Sequence, residues 1–171
     1  TIIENNEKLD SKLRFVILPF ENLSKDLNYD YLSRAFSDGI YSGLQYFSKI
    51  ILVDRNYTEK NLKELAFQNT GFTSKETSSK LGKIIGANKI ITGSYSIEGN
   101  KIKVNTVFID VETGQIEANS AFSLIGNTND TFKLQEDLAK KINQVLNFQM
   151  KNEFFKKVIS SNNTKITAYQ Y

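Results

Sequence analysis

Three carboxylates, Asp26, Asp30 and Asp38, follow closely on the apolar run that ends at Phe20. A carboxylate cluster beyond the end of a strand can hold Mg²⁺ or move protons. Before all three stand Glu21, Asn22 and Ser24, in the place where α/β proteins often carry an active-site loop. The competing reading is structural, because acidic residues near a helix start are favoured by the helix dipole. The rest of the composition supports the structural reading. With no His and no Cys in 171 residues, neither a Ser-His-Asp nor a Cys-His nucleophile can be assembled, and a Cys/His zinc site is excluded. Neither a metal nor a cofactor is expected. No catalytic residue stands out, and the chain is read as a non-enzyme.

The remaining candidates are weaker. Lys83 lies between glycines in "GKIIGANK", but the order of a phosphate loop is missing, so a helix end is the simpler reading. Phe154–Lys157, "FFKK", suits a continuing helix better than a membrane contact. Tyr29, Tyr31, Tyr41 and Tyr46, with the tyrosine of "SYS" at 94–96, could make a recognition patch, since tyrosine is enriched at interfaces. Tyr31 and Tyr41 fall off the inward face of their helix. With Glu21, Asn22 and Ser24 they are the candidate partner-binding residues. The charge is mixed: 22 Lys+Arg against 19 Asp+Glu give +3, and no basic stripe of the kind that holds nucleic acid is present. No apolar run is long enough to span a bilayer.

The elements that position these residues follow from periodicity. Apolar residues make up 40% of the chain, enough for a real core in one domain. Residues 1–13 read as a flexible lead-in. Arg14–Phe20 is a continuous apolar strand ended by the single proline, Pro19. A helix over Asp30–Phe47 carries Leu32, Phe36, Ile40, Leu44 and Phe47 inward. Beside them runs a small-residue stripe, Ala35, Gly39 and Gly43. Each helical glycine costs about 1 kcal/mol, which predicts close approach of this helix to a sheet. Strand Ile50–Val53 follows, long enough after the first for a parallel crossover. Then come a helix over Thr58–Gln68 with Gly71 past its end, and a helix over Glu76–Ile85 stopped by Gly86.

From Lys89 the period changes to two. A meander is expected over Lys89–Ile97, Lys101–Val111 and Gln115–Leu124, with turns at Glu98–Asn100 and Glu112–Gly114. The last helix is expected over Thr131–Phe148, and residues 149–171 read as a linker or the start of a following helical region. The order is β-α-β-α-α-β-β-β-α: an α/β (α+β) domain over residues 14–148 with a mixed five-stranded sheet.

On these residues a resemblance can be stated. "VILPFENLSKDLNYDYLSRAFSDGIYSGLQYFSKIILVDR", "GKIIGANKIITGSYSIEGNKIKVNTVFIDVETGQI" and "LQEDLAKKI", in that order, resemble the TolB amino-terminal-domain-like group related to CsgG, the curli secretion channel subunit. The resemblance covers about Phe15 to Leu146. It implies a periplasmic or envelope module, often on an outer-membrane lipoprotein, that acts by binding a protein partner. Similar domains precede tetratricopeptide repeats, and "AYQY" at 168–171 resembles the start of a first repeat helix. No catalytic residue comes with it.

The expected function is thus a protein-binding or scaffold module of the bacterial envelope, with no nucleic-acid partner. Membrane contact is expected only through a lipid anchor, and oligomers are allowed. The chain begins at Thr1 rather than Met, so any signal peptide or lipid-attachment cysteine is expected upstream; the cytoplasm stays open as a location. Two alternatives stand: a ligand-sensing or enzymatic domain using a pocket after the first strand, and a channel-forming subunit.

Overall fold

The computed structural model describes residues 12–66 and 75–168, with side chains over 12–65 and 78–152. The expected lead-in before Lys12, the stop at Gly71 and the last three residues lie outside that range. The strands are β1 (Leu13–Ile17), β2 (Glu21–Asn22), β3 (Ile50–Leu52), β4 (Lys89–Glu98), β5 (Lys101–Asp110) and β6 (Phe122–Asn127). The helices are α1 (Leu32–Leu44), α2 (Arg55–Ala66), α3 (Lys75–Ile85) and α4 (Thr131–Ala168), with a 3₁₀ turn at Leu27–Tyr29. The sheet order is β3-β1-β4-β5-β6, and β2 pairs with β4 beyond β1. The β1–β3, β1–β4 and β2–β4 pairs are parallel, and the β4–β5–β6 meander is antiparallel.

The mixed sheet therefore has six strands, one more than expected. The extra strand is cut from the supposed connection after Pro19. Ile17 pairs with Ile91 and Glu21 with Ser94, so Leu18, Pro19 and Phe20 stand opposite only Thr92 and Gly93. This is a bulge, and the missing N–H of Pro19 sits inside it. Leu18 still donates to the Ile91 carbonyl (3.0 Å), whereas the Phe20 N–H turns away to the Ser33 carbonyl on α1 (3.1 Å). Gly93 is required opposite the bulge. A Cβ there would fall 1.9 Å from the Asn105 carbonyl oxygen and 2.8 Å from the Phe20 ring.

The expected third meander strand, Gln115–Leu124, is broken. It begins as drawn: Ile116 bridges Ile109, and the Glu117 N–H donates to the Phe108 carbonyl (2.8 Å). Asn119 then takes a left-handed φ of 59°, and the chain re-enters the ladder only where Phe122 pairs with Thr106. The buried Ser120 hydroxyl anchors the excursion, accepting from the Phe108 N–H (3.2 Å) and donating to the Glu117 carbonyl (2.7 Å). Asn tolerates the left-handed region because its short side chain leaves the backbone room.

α1 and α4 cover one face of the sheet. Phe15, Ile91, Tyr95, Ile102, Val104 and Phe108 meet Leu32, Phe36, Ile40 and Leu44 from α1 and Leu134, Leu138, Ile142 and Leu146 from α4. The small stripe of α1 does not lie against the sheet, as the sequence reading expected. It lies against α4. A Cβ on Gly43 would be 2.9 Å from the Ala139 Cβ, and one on Gly39 would be 3.5 Å from the Gln135 Cβ. Two helices sharing one sheet face must also pack on each other, and glycine is used where their backbones come closest. The two contacts share one spacing, so the helices run in the same direction. Gly126 does the same for β6, where a Cβ would be 2.8 Å from Leu134.

On the reverse face α3 seals the β1–β4 end, with Val16, Val53, Leu81, Ile85, Ile90, Ile109 and Val111 buried together and Leu62 and Leu65 of α2 beside them. α3 ends as a Schellman motif: Gly86 has φ 78°, its N–H donates to the Lys83 carbonyl, and the Ala87 N–H donates to the Gly82 carbonyl. Lys83 is thus an exposed last-turn lysine, as the helix-end reading requires. α2 starts at Arg55, three residues before the expected start. The Asp54 side chain accepts from the Tyr57 N–H (3.0 Å) and caps it. The backbone of α4 runs on as helix to Ala168, past the expected stop at Phe148.

Candidate functional site

The segment between β2 and α1 is fixed by its own side chains. The Asn22 amide donates to the Asp26 carbonyl (3.1 Å) and to Asp30 Oδ1 (2.7 Å). Its Oδ1 accepts from the Ser24 N–H (3.0 Å) and the Ser24 hydroxyl (2.6 Å). The Asp26 carboxylate caps the 3₁₀ turn through the Asn28 N–H (3.0 Å). Below, the buried Tyr95 hydroxyl donates to the Tyr29 carbonyl (2.7 Å), and the Leu23 N–H donates to the Tyr95 carbonyl (2.8 Å). The Tyr95 ring stands edge-on to Phe36, centroids 5.3 Å apart. Burial, reinforced by the Asp30 charge, pushes its phenol up to about 12. The tyrosine of "SYS" is therefore a core residue and not part of a surface patch.

The Leu23, Leu27 and Tyr31 side chains turn the other way. They are 53%, 78% and 57% exposed. Fully burying one leucine contributes roughly 1.5–3 kcal/mol, and this hydrogen-bonded segment leaves most of that unused at Leu27 and about half of it at Leu23, with Tyr31 half exposed beside them. Phe132, 69% exposed, starts α4. Gly39 is level with Gln135, so one turn earlier Ala35 is level with Thr131. Phe132 and Tyr31 therefore mark the same end of the helix pair.

The sequence candidates separate in space. Glu21 pairs through its backbone with Ser94 on β4, and its exposed carboxylate makes no hydrogen bond or ion pair among the described residues. Asn22 and Ser24 shape the segment. Tyr31 stands at the start of α1. Tyr41 is half-buried ten residues along, about 15 Å farther down the axis. The three aspartates do not form one cluster: Asp26 caps, Asp30 accepts from Asn22, and Asp38 pairs with Arg55 of α2 (3.3 Å). Sequence reasoning missed Leu23, Leu27 and Phe132. The one signal, for the two leucines, was that they lie within a polar connection and fall on neither neighbour's apolar face.

Behind the segment, on the reverse sheet face, lies a groove of about 720 Å³ whose lining includes Glu21, Asn22 and Asp30. It occupies the place after the first strand that the ligand-sensing alternative requires. A different polar cluster sits at the far end of the sheet. Lys89 reaches Asp110 (2.6 Å) and Glu117, tying the β5–β6 connection to β4. Burial works against the Lys89 ammonium, but its bonds to Asp110 and Glu117 prevail and its pKa is raised. Burial likewise opposes the Asp110 carboxylate, and the Lys89 bond outweighs it, so its pKa is lowered.

No family model and no curated protein sequence matches the chain. Solved structures do. The LpoB C-terminal domain from Escherichia coli is 13% identical, with 73% of this chain and 93% of that one covered at a TM-score of 0.52. Lipoprotein GNA1162 from Neisseria meningitidis is 15% identical, over 79% of this chain and 97% of that one, also at 0.52. TolB from Acinetobacter baumannii is 14% identical over 80% of this chain and 29% of its own, at 0.49, a score that adds nothing to the fold assignment. The first two likenesses establish a shared fold. They do not bear on a relation to CsgG or on tetratricopeptide repeats.

Proposed function

We propose that this chain is a non-enzymatic protein-binding module of the bacterial cell envelope, and that its partner docks on the β2–α1 segment. Leu23, Leu27 and Tyr31 are the anchors, with Phe132 at the margin and Asn22 and Ser24 holding the shape. One observation carries the reading: a segment pinned by hydrogen bonds displays large apolar side chains instead of burying them. A surface ordered in advance loses little entropy on binding, and aromatic anchors dominate such interfaces. The dispersal of Asp26, Asp30 and Asp38 over three structural bonds supports a binding role over acid–base chemistry. The envelope assignment is supported by the resemblance in the sequence and by the fold shared with a lipoprotein. A periplasmic position with a lipid anchor upstream of Thr1 fits both. Among the described residues the channel reading finds no spare hairpin: β4–β5 is the middle of the core sheet, and β5 opens with Lys101 and Lys103.

The test is site-directed photo-cross-linking in the source cells. A photoreactive residue at position 27 should capture one discrete envelope protein, while the same residue at Lys60, exposed on α2, captures none. Equal adducts at both positions, or adducts only with proteins of the soluble fraction, would overturn the proposal.

A further inference from the structure

The groove on the reverse face has a character of its own. Its floor and one side are apolar, built from Pro19, Val107, Ile109 and Ile116. Its rim is acidic. The Glu21 carboxylate has no partner among the described residues, and Asp30 uses one oxygen on Asn22 and keeps the other free. Among the described lining residues the one cation, Arg34, is already engaged by Glu59 of α2. We propose that this groove takes an extended segment of a partner protein carrying lysine or arginine side chains.

The charge balance selects the sign of the occupant. Two carboxylates retain acceptor capacity, and the guanidinium beside them is neutralised. The apolar floor selects the form of the cation. A long alkyl stem lies along Val107, Ile109 and Ile116 while its charged head reaches the rim, the arrangement that lysine and arginine adopt on apolar surfaces. A charge-assisted hydrogen bond to Glu21 or Asp30 then fixes the head. The volume selects a segment over a single amine: about 720 Å³ is the size that holds a drug-sized ligand, and one side chain would leave most of it empty. This site goes beyond the docking surface above, because Leu23, Leu27 and Tyr31 are absent from the described lining of the groove.

The test is an amide-resolved NMR titration of the whole chain with the peptide acetyl-Val-Lys-Val-Lys-Val-amide, alongside its glutamate counterpart and spermine. The lysine peptide should move the amides of Ser94, Asn105 and Ile109 saturably, and more weakly as salt is raised; the glutamate peptide should not. Glu21→Gln, at an exposed carboxylate without a partner, should weaken binding about ten-fold and leave the remaining spectrum in place. Val107→Ser should weaken it at unchanged charge, and Leu27→Ser should leave it unchanged. The proposal is overturned if the groove amides do not move, if Glu21→Gln binds as the parent does, or if only residues around Leu27 shift. Spermine binding as tightly as the peptide would also overturn it, because a free polycation would then suffice.

Discussion

Under α1 and α4, strands β4 and β5 present Ile91, Tyr95, Ile102, Val104 and Phe108, all buried. On the reverse, the same strands present Thr92, Ser94, Lys101, Lys103 and Asn105, none of them buried. One pair of strands thus makes a tightly closed face and, beyond Ile90, Val107 and Ile109 beside α3, a polar one, because successive side chains point to opposite sides. The closed face is packed to the limit of backbone approach, with glycine at Gly43 and Gly126 where a methyl group would collide. The reverse face is sealed only at its β1–β4 end, by α3. Stability is concentrated on one side, which leaves the other side and the adjoining β2–α1 segment free to be shaped for a partner.

The largest effect that sharpens this contrast is a cavity on the closed face. Leu138→Ala, at a residue with no exposure, should lower unfolding stability by about 2–5 kcal/mol in urea melts. Ile125→Ala on the reverse face, 69% exposed, should change it by less than about 0.5 kcal/mol. Equal losses would erase the distinction.

The glycines of α1 give a finer test. Gly43→Ala sets a methyl group 2.9 Å from the Ala139 Cβ, so the helices must part and the propensity gain of about 1 kcal/mol should be cancelled or reversed. Gly39→Ala meets Gln135 at an ordinary 3.5 Å and should retain up to about 1 kcal/mol of that gain. Ala139→Gly in the Gly43→Ala background should restore the midpoint.

The smallest effect is electrostatic. Lys89 has a raised pKa when folded, so its contribution is full below 10.5 and fades as pH rises through the folded value. Tyr95 adds to the same alkaline loss, between 10.0 and about 12. Asp110 has a lowered pKa, so its contribution is present above 3.8 and is lost as pH falls through its folded value. Stability should therefore drop at both extremes. Tyr95→Phe should keep the acid limb and reduce the alkaline one, read as urea midpoint against pH.

What the sequence made legible follows from how local the cause is. The face of the first helix was readable because burial repeats at a fixed period: Leu32, Phe36, Ile40 and Leu44 are all buried as their spacing requires. The Gly86 stop is local too. The partner of Gly43 is not. It depends on α4, almost a hundred residues away, choosing the same sheet face. The break at Asn119 is paid for by Ser120 reaching Phe108, a contact that no period announces. The proposed docking segment was half legible. Glu21, Asn22, Ser24 and Tyr31 were picked out by type and place, but which of them hold the segment and which face outward depends on hydrogen bonds to Asp26, Asp30 and Tyr95. Leu27 was passed over because an apolar residue in a polar connection belongs to no period, and its only signal is that it fits neither neighbour's apolar face.

The central claim is that the β2–α1 segment keeps its apolar side chains for a partner and not for the fold. Urea unfolding of the triple variant Leu23→Ser/Leu27→Ser/Tyr31→Ser measures this most directly. The account predicts an unfolding free energy within about 0.5 kcal/mol of the parent per exposed site at unchanged slope, together with loss of the cross-link expected when a photoreactive residue replaces the neighbouring Asn28. A drop of several kcal/mol, or a variant that still captures the same envelope protein, would contradict it.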